Sequence, residues 1–480
     1  MKPEELNSIF EKRNAYIIAP AGHGKTEMIV DLVQASTGKA LLLTHTNAGV
    51  EALRKRLKKK NVNEKKYSIS TIAGLCMRWC SAYPATTNTE GIKFGDKDYY
   101  SKCYAGAASL FRSQWAREVI KSTYSCVIVD EYQDCIVDQH SIFLNLSESI
   151  PVYVLGDPLQ AIFGWAGKLV SWKSLEFEKV EIDTYPWRWH ETNPELGRFL
   201  QGIRKELLPA LDGQRVRLSI ATQLQNPSLR IVPAAKGMDW SFLNSLRHYS
   251  RVLYITKWPS QQKTLCQMTK GIFQNDEPQN LSELFDIARS LDESNAEEQA
   301  VIVFDFLLLC VNHVNDELGS YSAHIHDGDF NFNRIKKHTE FGALINNLLQ
   351  NRGKKDIYNI LAWVKSTAAL NIYRIELFDE LLRALSHAEK VGCSIENAAR
   401  QIRTEPKMQK RYTGFKFLSS RTVLSKGLEF ECVVIDVSKQ TRTSDRYCAT
   451  DFYVALTRAT KAIYLVTDDK EIVLEGLKDS

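Results

Sequence analysis

The sequence lacks the features that would place the chain in a membrane or in a secreted, disulfide-rich class. In 480 residues no uncharged apolar run approaches the roughly 18 residues that a membrane-spanning helix needs. The first five residues, Met-Lys-Pro-Glu-Glu, do not begin the apolar core of a signal peptide. Ten cysteines are too few for a dense disulfide framework. We therefore expect a cytoplasmic protein with reduced thiols and no membrane contact.

An excess of charge of one sign is also missing. The chain has 62 Lys and Arg against 57 Asp and Glu, which gives a net charge of +5. Such a small excess does not identify a nucleic-acid binder, because that requires basic residues concentrated in a pattern. Apolar residues make up 44% and charged residues 25% of the chain, as in ordinary globular proteins. This composition excludes a disordered or collagen-like chain, and the length suggests about three domains.

The first 180 residues alternate short apolar runs with helical patterns. Strands are predicted at 15–19, 40–44, 67–71, 126–129 and 152–155. This alternation predicts a mostly parallel sheet with helices on both faces. The Tyr-rich, partly helical stretch at about 81–123 interrupts the pattern, and we interpret it as an insertion.

A second α/β region begins near residue 180. Its predicted elements are strands at 251–256, 432–437 and 462–466 and a helix at 451–460. Between them the pattern is helical, with predicted helices at 281–291, 297–309 and 367–388. The simplest interpretation is a helical insertion that divides a second α/β domain.

Residues 19–26, Ala-Pro-Ala-Gly-His-Gly-Lys-Thr, lie between a predicted strand and a predicted helix. Two glycines allow backbone N–H groups to turn around a phosphate, and the following helix adds its positive end. The lysine can reach the β- and γ-phosphates, and the threonine hydroxyl can bind Mg²⁺. The predicted nucleotide-binding residues are Ala21, Gly22, His23, Gly24, Lys25 and Thr26.

A later apolar strand ends in two carboxylates, Asp130 and Glu131. In a parallel sheet this position lies at the same edge as residues 19–26, the predicted phosphate loop. We predict that Asp130 binds Mg²⁺ together with Thr26, and that Glu131 is the general base that orients and deprotonates the attacking water. Acids after a strand are common, so this prediction depends on the pairing with Gly24-Lys25-Thr26.

Seven segments resemble, in the same order, the motifs of superfamily 1 DNA helicases of the UvrD/Rep/PcrA type. The segments are 44–47 (THTN), 70–76 (STIAGLC), 130–134 (DEYQD), 156–165 (GDPLQAIFGW), 185–188 (YPWR), 426–430 (KGLEF) and 453–459 (YVALTRA).

The resemblance implies an α/β fold with two RecA-like P-loop domains, parallel sheets flanked by helices, a small insertion in the first domain and a helical insertion in the second. The predicted boundaries are 1–180 with an insertion at about 81–123, then 181–279, the helical insertion 280–412, and 413–480.

The resemblance also implies ATP between the two domains and single-stranded DNA across both. Gln160 would sense the γ-phosphate, and Arg188 and Arg458 would be arginine fingers. A planar, always-charged guanidinium suits the charge that develops on a transferring phosphoryl group. Trp187 would stack on adenine, and Glu429 would contact the ribose or the network that couples nucleotide to DNA.

For DNA, the resemblance places Phe163 and Trp165 at positions that stack on unpaired bases. Core packing is the alternative explanation for both rings. His45, Thr46 and Thr71 are candidate contacts to the DNA backbone.

Three other features are assigned no site. The basic run 54–60 ends a helix, where Lys and Arg suit the dipole, so a solvated helix end is preferred over a DNA contact. Residues 324–329, which contain two His and two Asp, are interpreted as a loop rather than a metal site. We interpret Cys76, Cys80 and Cys103 as buried thiols rather than cluster ligands.

Two functional hypotheses follow. The first is an ATP- and Mg²⁺-dependent translocase on single-stranded DNA and 3′→5′ helicase, with the polarity taken from the resemblance. The second is a DNA-sensing regulatory ATPase of a bacterial anti-phage complex with a nuclease partner, because compact relatives occur in such systems, Gabija among them. Short insertions, and Ala166 where the third motif usually has Arg, suit a sensor.

A third possibility, a nucleic-acid-binding module with a decayed ATPase, is disfavoured, because every acid, Lys and Arg named for hydrolysis is present.

Overall fold

The structure is a computed structural model that describes residues 1–92, 96, 98–269, 272–275, 281–404, 415–438 and 442–477. For residues 165, 263, 281, 282, 403 and 404 it describes the backbone alone. The chain divides into two compact units, residues 1–249 with 425–480 and residues 250–424. Among the described helices, none combines the length and apolar character that crossing a bilayer requires.

The described strands are short. They are β1 Asn14–Ile18, β2 Ala40–Thr44, β3 Tyr67–Thr71, β4 Cys126–Val129, β5 Val152–Gly156, β6 Glu178–Lys179, β7 Val216–Ser219, β8 Leu229–Val232, β9 Val252–Ile255, β10 Gln274–Asn275, β11 Val311–Asn312, β12 Asn371–Ile372, β13 Phe417–Ser420, β14 Phe430–Asp436, β15 Ala459–Val466 and β16 Glu471–Leu474.

The described helices connect and cover these strands. They are α1 Pro3–Phe10, α2 Lys25–Ala35, α3 Asn47–Lys59, α4 Ile72–Ala82, α5 Pro84–Thr87, α6 Tyr99–Leu110, α7 Gln114–Thr123, α8 Val137–Ser147, α9 Pro194–Leu207, α10 Trp240–Ser245, α11 Pro259–Met268, α12 Leu281–Glu293, α13 Ala296–Cys310, α14 Val314–His326, α15 Thr339–Asn351, α16 Lys354–Ser366, α17 Ile375–Val391, α18 Ile395–Thr404, α19 Thr422–Ser425 and α20 Ala449–Leu456.

The first unit contains a parallel sheet with the strand order β3-β2-β4-β5-β1-β6. All five residues of β2 and all four of β4 are buried, as expected for central parallel strands that helices cover on both faces. One core packs α4, α6 and α8 on one face of this sheet. A second core packs α2 and α3 on the other face.

The carboxyl ends of these strands meet at one edge of the sheet. Ile18 pairs with Gly156, Leu43 with Val129, and Thr44 with Thr71. The segments that follow these residues include the phosphate loop, the two acids and four of the seven helicase-like segments. This edge is where ligands bind in open parallel α/β sheets.

The first unit has a second group of strands, in which β14, β15 and β8 are neighbours and run parallel. In addition, β16 pairs antiparallel with β7. The second unit has the parallel neighbours β10, β13 and β9, together with an antiparallel pair, β11 and β12. Helices α12 to α18 of that unit pack around a continuous apolar core of their own.

The predicted fold class is confirmed. Parallel sheets flanked by helices are present, as two RecA-like α/β domains require. The predicted domain boundaries remain predictions.

The predicted helix at 367–388 is wrong over its first eight residues. Helix α16 ends at Ser366, and β12 then pairs antiparallel with β11. The backbone N–H groups of Tyr373 and Arg374 both donate to Cys310 O, at 3.0 and 3.2 Å. Helix α17 therefore begins only at Ile375. Pairing with a distant strand decided these residues, and local spacing could not show it.

The predicted helix at 451–460 ends too late. Helix α20 ends at Leu456, and β15 begins at Ala459 rather than at residue 462. Ala459 pairs with Phe430 of the neighbouring strand, and Phe430 N–H donates to Arg458 O at 3.0 Å. Sheet pairing therefore extends the strand by three residues, two of which helical periodicity had assigned to the helix.

Candidate active site

The phosphate loop connects β1 to α2 through two glycines in the left-handed region. Gly22 has a φ of 73° and Gly24 a φ of 87°, and Gly24 directly precedes α2. Arg188 N–H donates to Gly22 O at 3.0 Å, and a Cβ on Gly22 would lie 2.7 Å from the Trp189 ring. The loop is thus shaped by its own glycines and braced from the segment after residue 180.

Lys25 lies between the two predicted acids. Its Nζ is 2.8 Å from Glu131 Oε1 and 3.5 Å from Asp130 Oδ1, and little of either the Lys25 or the Asp130 side chain is exposed. The structure therefore brings together the ammonium and the two carboxylates that the sequence predicted at one sheet edge.

Burial and pairing shift the pKa values of these groups in different directions. Burial alone would raise the pKa of Glu131, but Lys25 and Lys426 outweigh it and hold the pKa well below its usual range. For Asp130, burial outweighs Lys25 and raises the pKa to about 6. Burial would lower the pKa of Lys25, but the two carboxylates raise it instead. Glu131 is therefore ionised at neutral pH, as a general base must be.

Thr26 and Asp130 provide oxygen ligands of the kind that Mg²⁺ prefers. The described residues contain no group of three or more His, Cys, Asp or Glu that would hold an ion without a substrate. This donor set fits Mg²⁺, which is commonly held by one or two protein oxygens together with substrate phosphates.

Glu131 has a left-handed backbone, with a φ of 56°, which is uncommon for a residue other than glycine. Its Oε2 accepts a hydrogen bond from Gln133 Nε2 at 2.5 Å. Gln133 Oε1 in turn accepts from Asp157 N–H at 3.0 Å. Gln133 and Asp157 had no role in the sequence analysis, although both lie in the helicase-like segments.

Lys426 is the most informative residue that sequence reasoning missed. Its Nζ forms a close ion pair with Asp134, lies 3.5 Å from Glu131 Oε2 and donates to Gln160 O at 3.0 Å. The same Nζ lies 5.6 Å from the centre of the Phe163 ring. Lys426 is the first residue of the helicase-like segment KGLEF, and its place in that segment was the one feature of the sequence that could have pointed to it.

The two predicted arginine fingers differ in their contacts. Arg188 donates through Nε to Glu429 Oε1 at 2.8 Å and through a terminal nitrogen to Thr457 O. Arg458 is buried, and its Nε donates to Val454 O at 3.1 Å. Burial and the proximity of Arg188 lower the pKa of Arg458 to about 9.

Two further predicted nucleotide contacts lie at the same site. Gln160 is buried in the short 3₁₀ turn Pro158–Gln160. Trp187 is 60% exposed and packs edge-on against Tyr185, and a Cβ on Gly24 would lie 3.1 Å from its ring. Trp187 therefore presents an open aromatic face beside the phosphate loop.

Among the predicted DNA contacts, His45 and Phe163 stack on each other at 6.3 Å between ring centres. Thr46 and Thr71 cap helices α3 and α4, where their hydroxyl oxygens accept from Gly49 N–H and Gly74 N–H. The side chain of Trp165 lies outside the described residues.

The three features that were assigned no site make contacts that are common in protein structures or are buried. In the basic run, Arg56 in the last turn of α3 forms an ion pair with Glu27 of α2. Cys76, Cys80 and Cys103 are buried. The loop interpretation of 324–329 is wrong for its first residues, because α14 extends through His326, which contacts Asp305 at 3.2 Å.

Gly22→Ala is expected to lower the free energy of unfolding by roughly 2–4 kcal/mol, because the new Cβ adds left-handed strain and collides with Trp189. Urea unfolding would measure the change. Gly202→Ala on α9 is the control, because a Cβ added there would meet no atom outside its own helix turn within 4 Å, and it should stabilise the fold by about 0.5–1 kcal/mol. Equal stability of the two variants would contradict the bracing of the loop by Trp189.

His45 should make the fold acid-sensitive. Burial, with Lys426 nearby, lowers its pKa to about 3, below the usual value near 6.5. The folded chain therefore binds fewer protons than the unfolded chain, so this stability is present above pH 6.5 and is lost as pH falls towards 3. When the pH is lowered from 7.5 to 5, the unfolding free energy of His45→Gln should fall by about 2 kcal/mol less than that of wild type. Urea unfolding at both pH values would measure this, and an equal fall in the two proteins would refute it.

Comparisons with known proteins agree with this geometry. A family described as AAA domain matches residues 3–165. The phosphate loop, the two acids, Gln160 and Phe163 all lie within the matched residues.

A short part of the chain is similar to the Gabija protein GajB of Bacillus cereus (strain VD045). It is 38% identical over 60 residues, 12% of this chain and 12% of that protein. A solved structure, the complex of Arterivirus nonstructural protein 10 (helicase) with DNA, matches with 9% identity and a TM-score of 0.33, covering 96% of this chain and 62% of that one. Each match thus spans less than two thirds of the relative.

The family match confirms the resemblance to UvrD-like helicases of superfamily 1, and the second similarity links a short part of the chain to a Gabija protein. The match over residues 3–165 agrees with the expected class, an ATP-hydrolysing enzyme of helicase type, and the activity of the whole chain is a proposal. The role of each site residue remains a proposal.

Proposed function

We propose that the chain is an ATP- and Mg²⁺-dependent motor, a single-stranded DNA translocase and 3′→5′ DNA helicase that acts in the cytoplasm. One observation carries the proposal. Lys426 contacts the proposed general base Glu131 at 3.5 Å and lies over the ring of Phe163, a proposed base-stacking residue. A motor needs such a connection, because hydrolysis must depend on the nucleic acid that it moves along. The polarity rests on the helicase resemblance.

In this proposal the phosphate loop binds the triphosphate, and Lys25 moves its ammonium from the carboxylates to the phosphates. Thr26 and Asp130 hold Mg²⁺, which neutralises phosphate charge when bound. Glu131 orients the attacking water and takes its proton, while Gln160 senses the γ-phosphate. When Lys25 moves to the phosphates, Glu131 loses the ammonium that lowers its pKa most, so the carboxylate becomes a stronger base for that proton.

Arg188 and Arg458 would supply positive charge to the transferring phosphoryl group. Arg188 is near the loop already, since its backbone N–H donates to Gly22 O. Arg458 would exchange its contacts with backbone carbonyls for the phosphate. Trp187 would stack on adenine, and Glu429 would hold Arg188 in place until nucleotide binds.

On the DNA side, Phe163 and His45 form an aromatic pair suited to stacking with unpaired bases. Burial keeps His45 uncharged, so its contribution would be stacking rather than charge. Trp165, Thr46 and Thr71 remain proposed contacts, the threonines through hydroxyl hydrogens that capping leaves available.

Phosphate release with and without a single-stranded oligonucleotide tests the proposal. ATP hydrolysis should require Mg²⁺ and rise when the oligonucleotide is added. Duplexes with a 3′ or a 5′ tail then test polarity, and the 3′-tailed duplex should be the one that is unwound. Identical hydrolysis rates with and without DNA would reject the motor.

A second candidate is a DNA-sensing regulatory ATPase that works with a nuclease in an anti-phage complex. The similarity to a Gabija protein favours it. Under this hypothesis DNA still stimulates hydrolysis, but the isolated chain does not separate strands. Robust unwinding by the isolated chain would reject the sensor, and co-purification with a nuclease would support it.

A further inference from the structure

Helix α9 lies beside the phosphate loop and directs two side chains of one face towards it. Gln201 and Arg204 are three residues apart, so they occupy neighbouring positions on the helix surface. Asn193 caps the start of this helix by accepting from Leu196 N–H at 3.1 Å.

Gln201 contacts the loop through His23. His23 is buried, and its Nδ1 lies 2.8 Å from Ala21 O. A carbonyl oxygen can only accept, so Nδ1 carries the proton and Nε2 is left as an acceptor. Gln201 Nε2 lies 3.0 Å from His23 Nε2 and donates to it. Burial lowers the pKa of His23, which agrees with a neutral ring.

Arg204 contacts the same loop through Asp157. Asp157 is fully buried, and its Oδ1 accepts from Arg204 at 2.8 Å. Its other oxygen, Oδ2, accepts from Ala21 N–H at 3.2 Å. The Ala21 amide is therefore already donated within the protein, and so is the His23 amide, which donates to Pro20 O at 3.1 Å.

Both paths end on the backbone of Ala21, one on its carbonyl and one on its N–H. Two contacts of this kind fix the peptide planes on both sides of the residue, at the point where the loop begins to turn. The orientation of the following N–H groups depends on that starting plane.

We propose that Gln201 and Arg204 are positioning residues that act through His23 and Asp157 to hold the phosphate loop in the shape that binds ATP. The inference rests on the proposed function, since it concerns the affinity of the same site for ATP. Neither residue touches the reacting atoms, so their loss should raise the Kd for ATP more than it lowers kcat.

The experiment compares ATP affinity and turnover in the full chain with Mg²⁺ and single-stranded DNA. Gln201→Ala should raise the Kd for ATP about three- to tenfold, as expected for one lost hydrogen bond, and change kcat less than twofold. His23→Ser should have a similar effect. The double variant should be no worse than the worse single variant, because both changes break one path.

Arg204→Ala leaves Asp157 buried without its cation, so the Kd should rise about ten- to hundredfold. Arg204→Lys keeps the charge and should recover most of that loss, with a melting temperature near wild type. Arg198→Ala, an exposed arginine on the same helix, is the matched control and should bind ATP like wild type.

The outcomes separate the inference from the proposed function. If wild type neither binds nor hydrolyses ATP, the proposed function fails. If wild type does both and the Gln201, His23 and Arg204→Lys variants are folded, an unchanged Kd in Gln201→Ala or additive effects in the double variant overturn the inference. A loss of kcat at unchanged Kd would also overturn it.

Discussion

Glu131→Gln is expected to lower kcat for ATP hydrolysis about 10²- to 10⁴-fold while ATP binding is retained. The amide cannot accept a proton from water, but it keeps the size of the carboxylate. Its oxygen can still accept a hydrogen bond from Lys25, which now lies 2.8 Å from Glu131 Oε1. Phosphate release in single turnover and titration with a fluorescent ATP analogue would measure the two effects separately.

Glu118→Gln is the matched control for this prediction. Glu118 is exposed on α7, away from the sheet edge. The Glu118→Gln variant should therefore hydrolyse ATP like wild type. If Glu131→Gln retained wild-type turnover, Glu131 would not be the general base, and another carboxylate at this edge would have to be sought.

Lys25→Met is expected to raise the Kd for ATP about 10²-fold or more, because one cation of a buried charged contact is removed. Methionine keeps an unbranched apolar stem in the space that the lysine chain occupied. The change also removes the ammonium that holds the pKa of Glu131 low, so the carboxylates become easier to protonate. Calorimetric titration with ATP and Mg²⁺ would measure the affinity.

The contrast with Glu131→Gln makes this result specific. One variant should bind without turning over, and the other should fail to bind. Lys121→Met, at an exposed position on α7, controls for loss of a surface charge. An affinity of Lys25→Met within twofold of wild type would mean that the phosphate contact lies elsewhere.

Much of the first sheet was predictable because its strands are continuous apolar runs. The bounds predicted for β2, β3 and β4 agree with the structure. Errors occurred where distant backbone pairing overrode local spacing, as at β12 and at the start of β15. Hydrophobic periodicity describes one segment at a time and holds no information about such partners.

The candidate site divides in the same way. Lys25, Asp130 and Glu131 could be named as candidates that lie together because loop and strand-end motifs have local signatures. The role of Lys426 was missed because it depends on Asp134, Glu131 and Phe163, which are more than 250 positions away in the chain.

The sequence by itself determined the α/β class, the phosphate loop and the acids that accompany it, because each depends on residues that are close together in the chain. Only the tertiary structure decided how these parts are connected. It placed Lys426 between the Glu131 carboxylate and the Phe163 ring, and it brought Gln201 and Arg204 of α9 against His23 and Asp157, which contact Ala21. These are contacts between side chains of distant segments, and they exist only when the parallel sheet brings its strand ends to one edge.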